Sequence, residues 1–346
     1  MLRKPGALFP SVAGRKRRAG TRSLFQNGSQ VEIGSENVLK YIGKRLLAMI
    51  PVVLGVTLIV YCIMSLAPGD PARTILGEQA TEEQVQALRD EMGLNDPLLV
   101  QYVRYVWKLL HGDFGTSYSS RIDVSKEIWS RFPNTIKLAL VASLVSVIFA
   151  LPLGIVAAVK QNTFFDSASM FFAIIGISCP TFWFGLILIL VFAVHLKWFP
   201  VSGQVDTLKG IILPAVTLGF NSMAAMARVT RSSMLEVIRQ DYIRTARAKG
   251  VSNRNVILQH AVPNAMIPTV TVIGLRIGGL LAGAVICETV FAWPGIGRLL
   301  VQSIMSRNTP VVLGCIIIFS ICFSLVNLIV DILYAFIDPR IKSQYQ

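Results

Sequence analysis

Residues 137–159 read KLALVASLVSVIFALPLGIVAAV, with no charged residue after Lys137. At a rise of about 1.5 Å per residue, a helix of this length crosses a hydrocarbon core of about 30 Å. Five further apolar runs have a comparable length and lie at 46–67, 170–194, 211–230, 268–291 and 311–336. The sequence therefore predicts an all-α integral membrane protein with six transmembrane helices. The run 211–230 is interrupted by Asn221 and Ser222, which predicts that it faces other helices or a wet cavity rather than lipid.

The composition agrees with lipid as the main solvent of this chain. Of its 346 residues 53% are hydrophobic and only 15% are charged, whereas a soluble domain carries about 25% charged residues. The net charge of +14 does not indicate nucleic-acid binding, because the basic residues lie in blocks beside the apolar runs. The five cysteines include no CxxC pair and the three histidines have no metal-ligand spacing, so we predict neither a metal site nor a cofactor.

The basic residues also predict the topology. Residues 1–37 lack periodicity and are expected to form a disordered cytoplasmic tail, followed by an uncleaved first transmembrane helix at 38–67. Ten Lys and Arg residues lie between the N-terminus and Arg45, and seven more lie between Arg228 and Arg254. The positive-inside rule places both groups in the cytoplasm. Six spans then place residues 337–346 in the cytoplasm as well.

The segment 68–136 is charge-balanced and is predicted to form a small, mostly helical extracytoplasmic domain. Within it, Thr81 is a candidate N-cap for a helix at 82–92, whose first turn is acidic. A second apolar-periodic stretch, at 98–110, predicts another helix. The remaining segment, 137–336, is predicted to form the transmembrane core.

The cytoplasmic loop 234–268 carries the strongest functional pattern. At helical spacing Leu235, Ile238, Tyr242 and Ala246 share one face. Gly250 then suits the left-handed position that ends a helix, so we predict an amphipathic helix, a sharp turn and a return to the membrane. A membrane-surface helix with its basic residues on lipid phosphates is the alternative, but it does not explain the small residues just before the glycine.

The decapeptide DYIRTARAKG at 241–250, followed by Val262-Pro263, resembles the EAA loop of bacterial ABC importer permeases. Arg244 and Thr245 depart from the Glu and Ala of that pattern. The form YIRTARAKG resembles the variant found in the dipeptide and oligopeptide (and nickel) transport family, in particular the dipeptide-type permease. Four further segments resemble the same family: APGDP at 67–71, FPVSG at 199–203, ETVFAWPGIG at 288–297, and NLIVD at 327–331 continuing to DPR at 338–340. Together they extend over about 38–342.

This resemblance implies a type I ABC importer transmembrane domain that forms half of a translocation path for di- or oligopeptides. The implied partners are a second homologous permease, two ABC ATPase subunits and an extracytoplasmic substrate-binding protein. The chain contains no G-x-x-x-x-G-K-[ST] motif, so we expect a non-catalytic subunit whose energy comes from ATP hydrolysis on the partner chains. The implied ATPase-coupling residues are Tyr242, Arg244, Thr245, Ala246, Arg247, Ala248 and Gly250.

Two charged residues of the fifth span are candidates for the substrate path. Arg276 lies well inside an apolar run, where an arginine should face protein or water. The alternative roles of Arg276 are a structural pairing with Asp331 or with backbone carbonyl groups, or snorkelling toward the cytoplasm. Glu288 is a candidate gate residue or, equally, a carboxylate that fixes the following Trp-Pro-Gly turn. The spacings Gly274/Gly278 and Gly279/Gly283 predict close helix contacts.

Other functions remain open at this point. Within the same family, nickel chelates, glutathione and sugars are alternative substrates. A stand-alone secondary transporter would need matching broken helices in two repeats, which the sequence does not show. A membrane sensor would use residues 68–136 but would not need the arginine-rich loop.

Overall fold

The computed structural model describes residues 35–66, 69–77 and 79–337, so the predicted tail up to residue 34 and the predicted C-terminal segment from 338 lie outside the described residues. Contacts divide the chain into two units, Met1–Lys44 and Arg45–Gln346. Of the first unit, the described residues form the start of the first helix. The packing discussed below belongs to the second unit.

The described chain is helical, and its only β-structure is an isolated bridge between Thr116 and Asp123. The N-terminal helices are α1 (Ser35–Leu66), α2 (Pro71–Leu76), α3 (Glu82–Met92) and α4 (Leu98–Leu110). The middle of the chain forms α5 (Val124–Val159), α6 (Phe164–Ser178), α7 (Thr181–Leu188), a π-helical turn (Ile189–His195) and α8 (Leu208–Ile238). The remainder forms α9 (Asp241–Ala248), α10 (Asn253–Asn255), a second π-helical segment (Val256–Ala261), α11 (Val262–Val290), α12 (Ile296–Met305) and α13 (Thr309–Ile337).

Five stretches of the described helices are long and apolar enough to cross a membrane, and the number is six when a bent pair of helices is counted as one span. The five are Ile42–Leu66, Val124–Val159, Leu208–Ile238, Asn253–Val290 and Thr309–Ile332. This pair consists of Phe164–Ser178 and Thr181–His195, and the chain bends by 111° between them. The predicted six-helix, all-α architecture is confirmed, but its third helix is bent rather than straight.

Pro180 explains the bend. A proline has no N–H for the helix ladder and forces the preceding residue out of the helical region. Cys179 accordingly has φ −79° and ψ 124°. The carbonyl groups at the end of α6 therefore lose their helical donors, and Asn221 of α8 replaces them. Its Nδ2 donates to the oxygens of Gly176 (3.3 Å) and Ile177 (3.1 Å).

α8 is the central helix of the described bundle. In its most apolar window 72% of the residues are buried, against 11% for α1 and 22% for α5. Small residues allow its close approach to α5: a Cβ on Gly219 would lie 2.6 Å from Ser146 Oγ. That hydroxyl donates to the oxygens of Ala142 (2.7 Å) and Gly219 (2.9 Å). The prediction that the polar fourth span faces other helices is confirmed.

Two of the helices between α1 and α5, namely α3 and α4, match their predicted ranges, whereas α2 was not predicted. Thr81 caps α3 in a complete capping box with Gln84, and Gly93 ends it in the left-handed conformation. The α5 helix, however, begins at Val124 and not at Lys137. The charged residues between these positions lie beyond the apolar run, where they are compatible with a helix that continues outside the hydrocarbon core.

Candidate functional site

The loop between α8 and α11 forms a short helix, a turn and a return, as predicted. α9 occupies Asp241–Ala248, and the chain reverses at Gly250, whose φ is +81°. The Gly250 N–H donates to the Arg247 oxygen (3.0 Å), and the Val251 N–H donates to the Ala246 oxygen (3.3 Å). The left-handed conformation predicted for Gly250 is therefore confirmed.

The face of α9 that packs on the protein differs from the predicted one. Ile243 is completely buried in a cluster with Met234, Val256 and Ala261, and Ala246 packs partly against that cluster. Tyr242, by contrast, is 44% exposed. The cause is a break between α8 and α9, where Gln240 is extended (φ −71°, ψ 150°). This break resets the helical phase, so the spacing from Leu235 to Tyr242 no longer keeps residues on one face.

Most of the predicted coupling residues form one exposed surface. Ala246 is half-buried, and the exposed members are Tyr242, Arg244, Thr245, Arg247, Ala248 and Gly250. Arg244 Nη1 lies 3.7 Å from Asp241 Oδ1, but both side chains are largely in solvent, and such pairs contribute little to stability. The surface is thus cationic, carries small side chains near the turn, and is largely exposed in the described chain.

An ion pair between a buried aspartate and a half-buried arginine, which the sequence did not predict, lies near the base of this loop. Arg231 of α8 binds Asp166 of α6 through two contacts, Nε–Oδ1 (2.5 Å) and Nη2–Oδ2 (2.7 Å). The Asn162 N–H also donates to Asp166 Oδ2 (3.0 Å). The Asp166 side chain is only 5% exposed. A bidentate arginine–carboxylate pair is geometrically specific, so it fixes α6 against α8 ten residues before α9 begins. The one feature of the sequence that could have indicated this pair is Asp166 itself, a lone aspartate at the start of an apolar run.

Arg276 lies on an exposed stripe of α11. Leu275, Gly279, Ala282 and Ile286 share its exposure, and a Cβ on Gly279 would meet nothing within 4 Å. Within the described part of the chain, no carboxylate forms a salt bridge with Arg276.

The salt bridges of the described residues do not include the alternative pairing of Arg276 with Asp331. Asp331 Oδ2 instead lies 2.8 Å from Arg45 Nη2, which joins the end of α13 to the start of the first span. The other glycines of α11 are contact positions: a Cβ on Gly278 would lie 3.1 Å from Asn327 Oδ1, and one on Gly283 would lie 3.0 Å from Leu218 Cδ1.

Glu288 is enclosed in the structure. It has no exposed surface, its Oε1 accepts from the Thr135 hydroxyl (2.6 Å), and its Oε2 accepts from the Arg298 N–H (3.0 Å). A Cβ on Gly295 would collide with the carboxylate. These contacts are those of a carboxylate that organises the turn between α11 and α12, and they leave no oxygen facing open space in this chain.

The segments 199–203 and 288–297, far apart in the sequence, meet at this same turn. The Gly203 N–H donates to the Phe291 oxygen (2.6 Å), and a Cβ on Gly203 would lie 2.6 Å from the Trp293 ring. Trp293 is fully buried, and its Nε1 donates to the oxygen of Asn134 at 3.0 Å. The Asn134 side chain in turn donates to the Pro294 oxygen (2.9 Å). The sequence identified both segments but not their contact.

Two family models match the chain. The model of the binding-protein-dependent transport system inner membrane component matches residues 150–343, and its counterpart for the N-terminal part of the membrane component matches residues 38–139. Together they cover the bundle, the α9 loop and the helices between α1 and α5.

Several curated relatives and a solved structure are similar to the chain. The dipeptide transport system permease protein DppB of Alkalihalophilus pseudofirmus is 44% identical over 332 residues, covering 88% of this chain and all of the relative. The glutathione transport system permease protein GsiC of Escherichia coli (strain K12) is 46% identical over 305 residues, covering 88% of this chain and 99% of the relative. A crystal structure of an amino acid ABC transporter with histidines shares the fold, with a TM-score of 0.50 and 14% identity over 61% of this chain and 94% of that one.

Proposed function

Because this chain belongs to the family of binding-protein-dependent transport system inner membrane components and is a multi-pass permease subunit of an ABC importer, we propose that it forms half of a translocation path for di- or oligopeptides. The observation that carries the substrate class is its similarity, over nearly the whole length of both chains, to permeases named for dipeptide and glutathione transport. Glutathione is itself a short peptide, so both names favour small peptidic cargo.

The proposed assembly contains a second homologous permease, two ATPase subunits and an extracytoplasmic binding protein. The exposed surface of α9, which carries Tyr242, Arg244 and Arg247, is proposed to dock on an ATPase subunit. This docking places the loop in the cytoplasm, in agreement with its excess of arginines. Both chain termini are then cytoplasmic, and α2 to α4 belong to the opposite side of the membrane. The chain itself supplies no catalytic residue in this scheme.

Reconstitution tests this function directly. The chain, its second permease, the ATPase subunits and the binding protein are assembled in proteoliposomes, and uptake of a radiolabelled dipeptide is measured. We expect uptake that requires both ATP and the binding protein and that unlabelled glutathione or longer peptides inhibit to different degrees. Uptake driven by an ion gradient without ATP would instead identify a secondary transporter. Competition only by a nickel chelate or a sugar would reject the peptide assignment.

Arg276 is proposed to attract the carboxylate of a peptide in the path. Placing an arginine in the middle of a span costs about 2.5–3.5 kcal/mol on insertion scales, so its side chain should face protein or water. Arg276 lies on the exposed stripe of α11 and forms no salt bridge with a carboxylate of the described residues. We expect Arg276→Gln to assemble normally and to raise the apparent KM for dipeptide uptake several-fold. Arg228→Gln, at an exposed arginine of α8, is the matched control. An unchanged KM at equal expression would remove Arg276 from the path.

A further inference from the structure

The Asp166–Arg231 pair lies about one turn of α8 away from the cluster on which α9 packs. In that cluster Ile243 of α9 is completely buried together with Met234 of α8 and Ala265 of α11. Arg231 precedes Met234 by three residues, so the two side chains are neighbours on the surface of α8. A displacement of α9 therefore reaches the ion pair through a single turn of helix.

The Asp166 carboxylate holds the start of α6 from two sides. It accepts from Arg231 of α8 (2.5 and 2.7 Å) and from the N–H of Asn162 (3.0 Å), which lies between α5 and α6. Asn162 has φ +62°, a left-handed conformation that asparagine adopts more readily than most residues. At the same level a Cβ on Gly154 of α5 would lie 2.6 Å from Thr230 Cβ. α5, α6 and α8 are therefore joined next to the α9 cluster.

α6 and α7 stay in contact with α8 beyond the ion pair. A Cβ on Gly176 of α6 would lie 2.8 Å from Ala224 Cβ, and past the bend the ring of Phe184 stacks on that of Phe220 with centroids 4.1 Å apart. Such apolar contacts allow packed helices to slide by small amounts. A bidentate arginine–carboxylate contact has a fixed geometry, so the ion pair sets the position of α6 along α8.

α7 packs against the turn between α11 and α12. A Cβ on Gly185 of α7 would lie 3.2 Å from Phe291 Cε2 and 3.4 Å from Val290 Cγ1. The segment after α7 returns to the same turn, where the Gly203 N–H donates to the Phe291 oxygen (2.6 Å). α6 and α7 therefore connect the α9 end of the bundle with the turn that Glu288 organises.

We propose that Asp166 and Arg231 are positioning residues of the transport cycle, which make α6 and α7 move with α8 so that a displacement of α9 reaches the turn between α11 and α12. Coupling between distant sites is carried by packed side chains, ion pairs and rigid helices, and these contacts form such a connection from end to end. This role rests on the proposed docking of α9 on an ATPase subunit. It does not depend on the identity of the cargo.

Hydrogen exchange in the assembled transporter tests the connection without a transported substrate. Exchange is measured by mass spectrometry with and without a nonhydrolysable ATP analogue, in the wild type and in Arg231→Lys. Lysine keeps the charge but lacks the planar fork of the bidentate contact. We expect the analogue to change exchange in α9 and in residues 288–297 of the wild type. In Arg231→Lys the change in α9 should remain, and the change at 288–297 should be several-fold smaller.

Asp331→Asn is the matched control. It removes the carboxylate that lies 2.8 Å from Arg45 Nη2, in an ion pair between α13 and the first span, and it should leave the response at 288–297 unchanged. A full response in Arg231→Lys, or an equal loss in Asp331→Asn, would overturn the proposal. So would a wild type in which the analogue alters α9 alone. A wild type in which α9 itself does not respond would reject the proposed docking and, with it, this role of the pair.

The ATP hydrolysed for each peptide taken up is a readout that a purely structural role would not move. In proteoliposomes with loaded binding protein, Asp166→Asn and Arg231→Lys should keep most of the stimulated ATPase activity but hydrolyse several-fold more ATP for each peptide. If Asp166→Asn fails to assemble, the milder Arg231→Lys decides the question. A parallel fall of both activities with an unchanged ratio would mean that the pair serves assembly alone, and it would overturn the proposal.

Discussion

Gly250→Val is expected to abolish most peptide uptake and most of the ATPase stimulation by loaded binding protein, with both activities falling together. At φ +81° a side chain is penalised by about 1 kcal/mol or more, and β-branching adds to this penalty. No atom lies within 4 Å of the new Cβ position, so the effect arises from backbone strain and not from a clash within the chain. The strained turn should displace the exposed surface of α9 from its ATPase partner.

Two control variants separate conformation from bulk. Gly250→Asn should keep most of the activity, because asparagine tolerates the left-handed region better than valine does. Arg244→Ala should reduce both activities less than Gly250→Val does, because it removes one exposed side chain of the docking surface, whose contact with Asp241 is largely in solvent, and leaves the turn unstrained. ATPase activity and uptake are measured in proteoliposomes with and without loaded binding protein. Full stimulation of Gly250→Val would mean that this loop does not couple hydrolysis to transport.

Glu288→Ala is expected to destabilise the turn between α11 and α12 rather than to change substrate preference. It leaves the Thr135 hydroxyl and the Arg298 N–H without their carboxylate acceptor in a fully buried site. Each buried group without a partner costs roughly 1–3 kcal/mol, so the two together should lower the free energy of unfolding by roughly 2–6 kcal/mol. The expected results are poor assembly and a lower thermal unfolding midpoint of the purified complex.

The neighbouring Thr289 provides the control for Glu288. It is exposed, and its hydroxyl donates within its own helix to the Val285 oxygen (2.8 Å). Thr289→Ala should therefore unfold at the wild-type temperature. Normal stability of Glu288→Ala together with altered peptide preference would instead return Glu288 to the substrate path.

Features set by local sequence could be predicted from the chain alone. Apolar runs of about 20 residues identified the spans, because the thickness of the bilayer fixes their length. Thr81 marked the start of α3, because its side chain can accept from the N–H groups that every helix leaves unpaired at its beginning. Gly250 was recognisable as the end of a helix, because the left-handed position that follows a helix favours glycine.

Features that depend on distant partners could not be predicted. The bend at Pro180 is stabilised by Asn221, more than 40 residues away, and the sequence shows Asn221 only as an interruption of a span. The buried face predicted for α9 was wrong, because nothing in the local sequence indicated that the helix breaks at Gln240. Likewise the Asp166–Arg231 pair joins two separate helices and was not predicted. For Glu288 the sequence left open the choice between a gate and a carboxylate that fixes the turn, because its partner Thr135 lies on a distant helix.

The burial of α8 has a consequence for how the protein is made. A helix whose most apolar stretch is 72% buried and that carries Asn221 inside its span offers the translocon a weaker insertion signal than its neighbours do, because polar residues oppose partition into lipid. Its stable partners, α5 and α11, lie on either side of it in the chain, so α5 emerges from the ribosome before α8 and α11 emerges after it. We expect α8 to remain associated with the insertion machinery, or with α5, until α11 has been synthesised. Biogenesis of this permease is then a concerted event, and truncation before α11 should leave a segment that the cell's quality-control proteases remove.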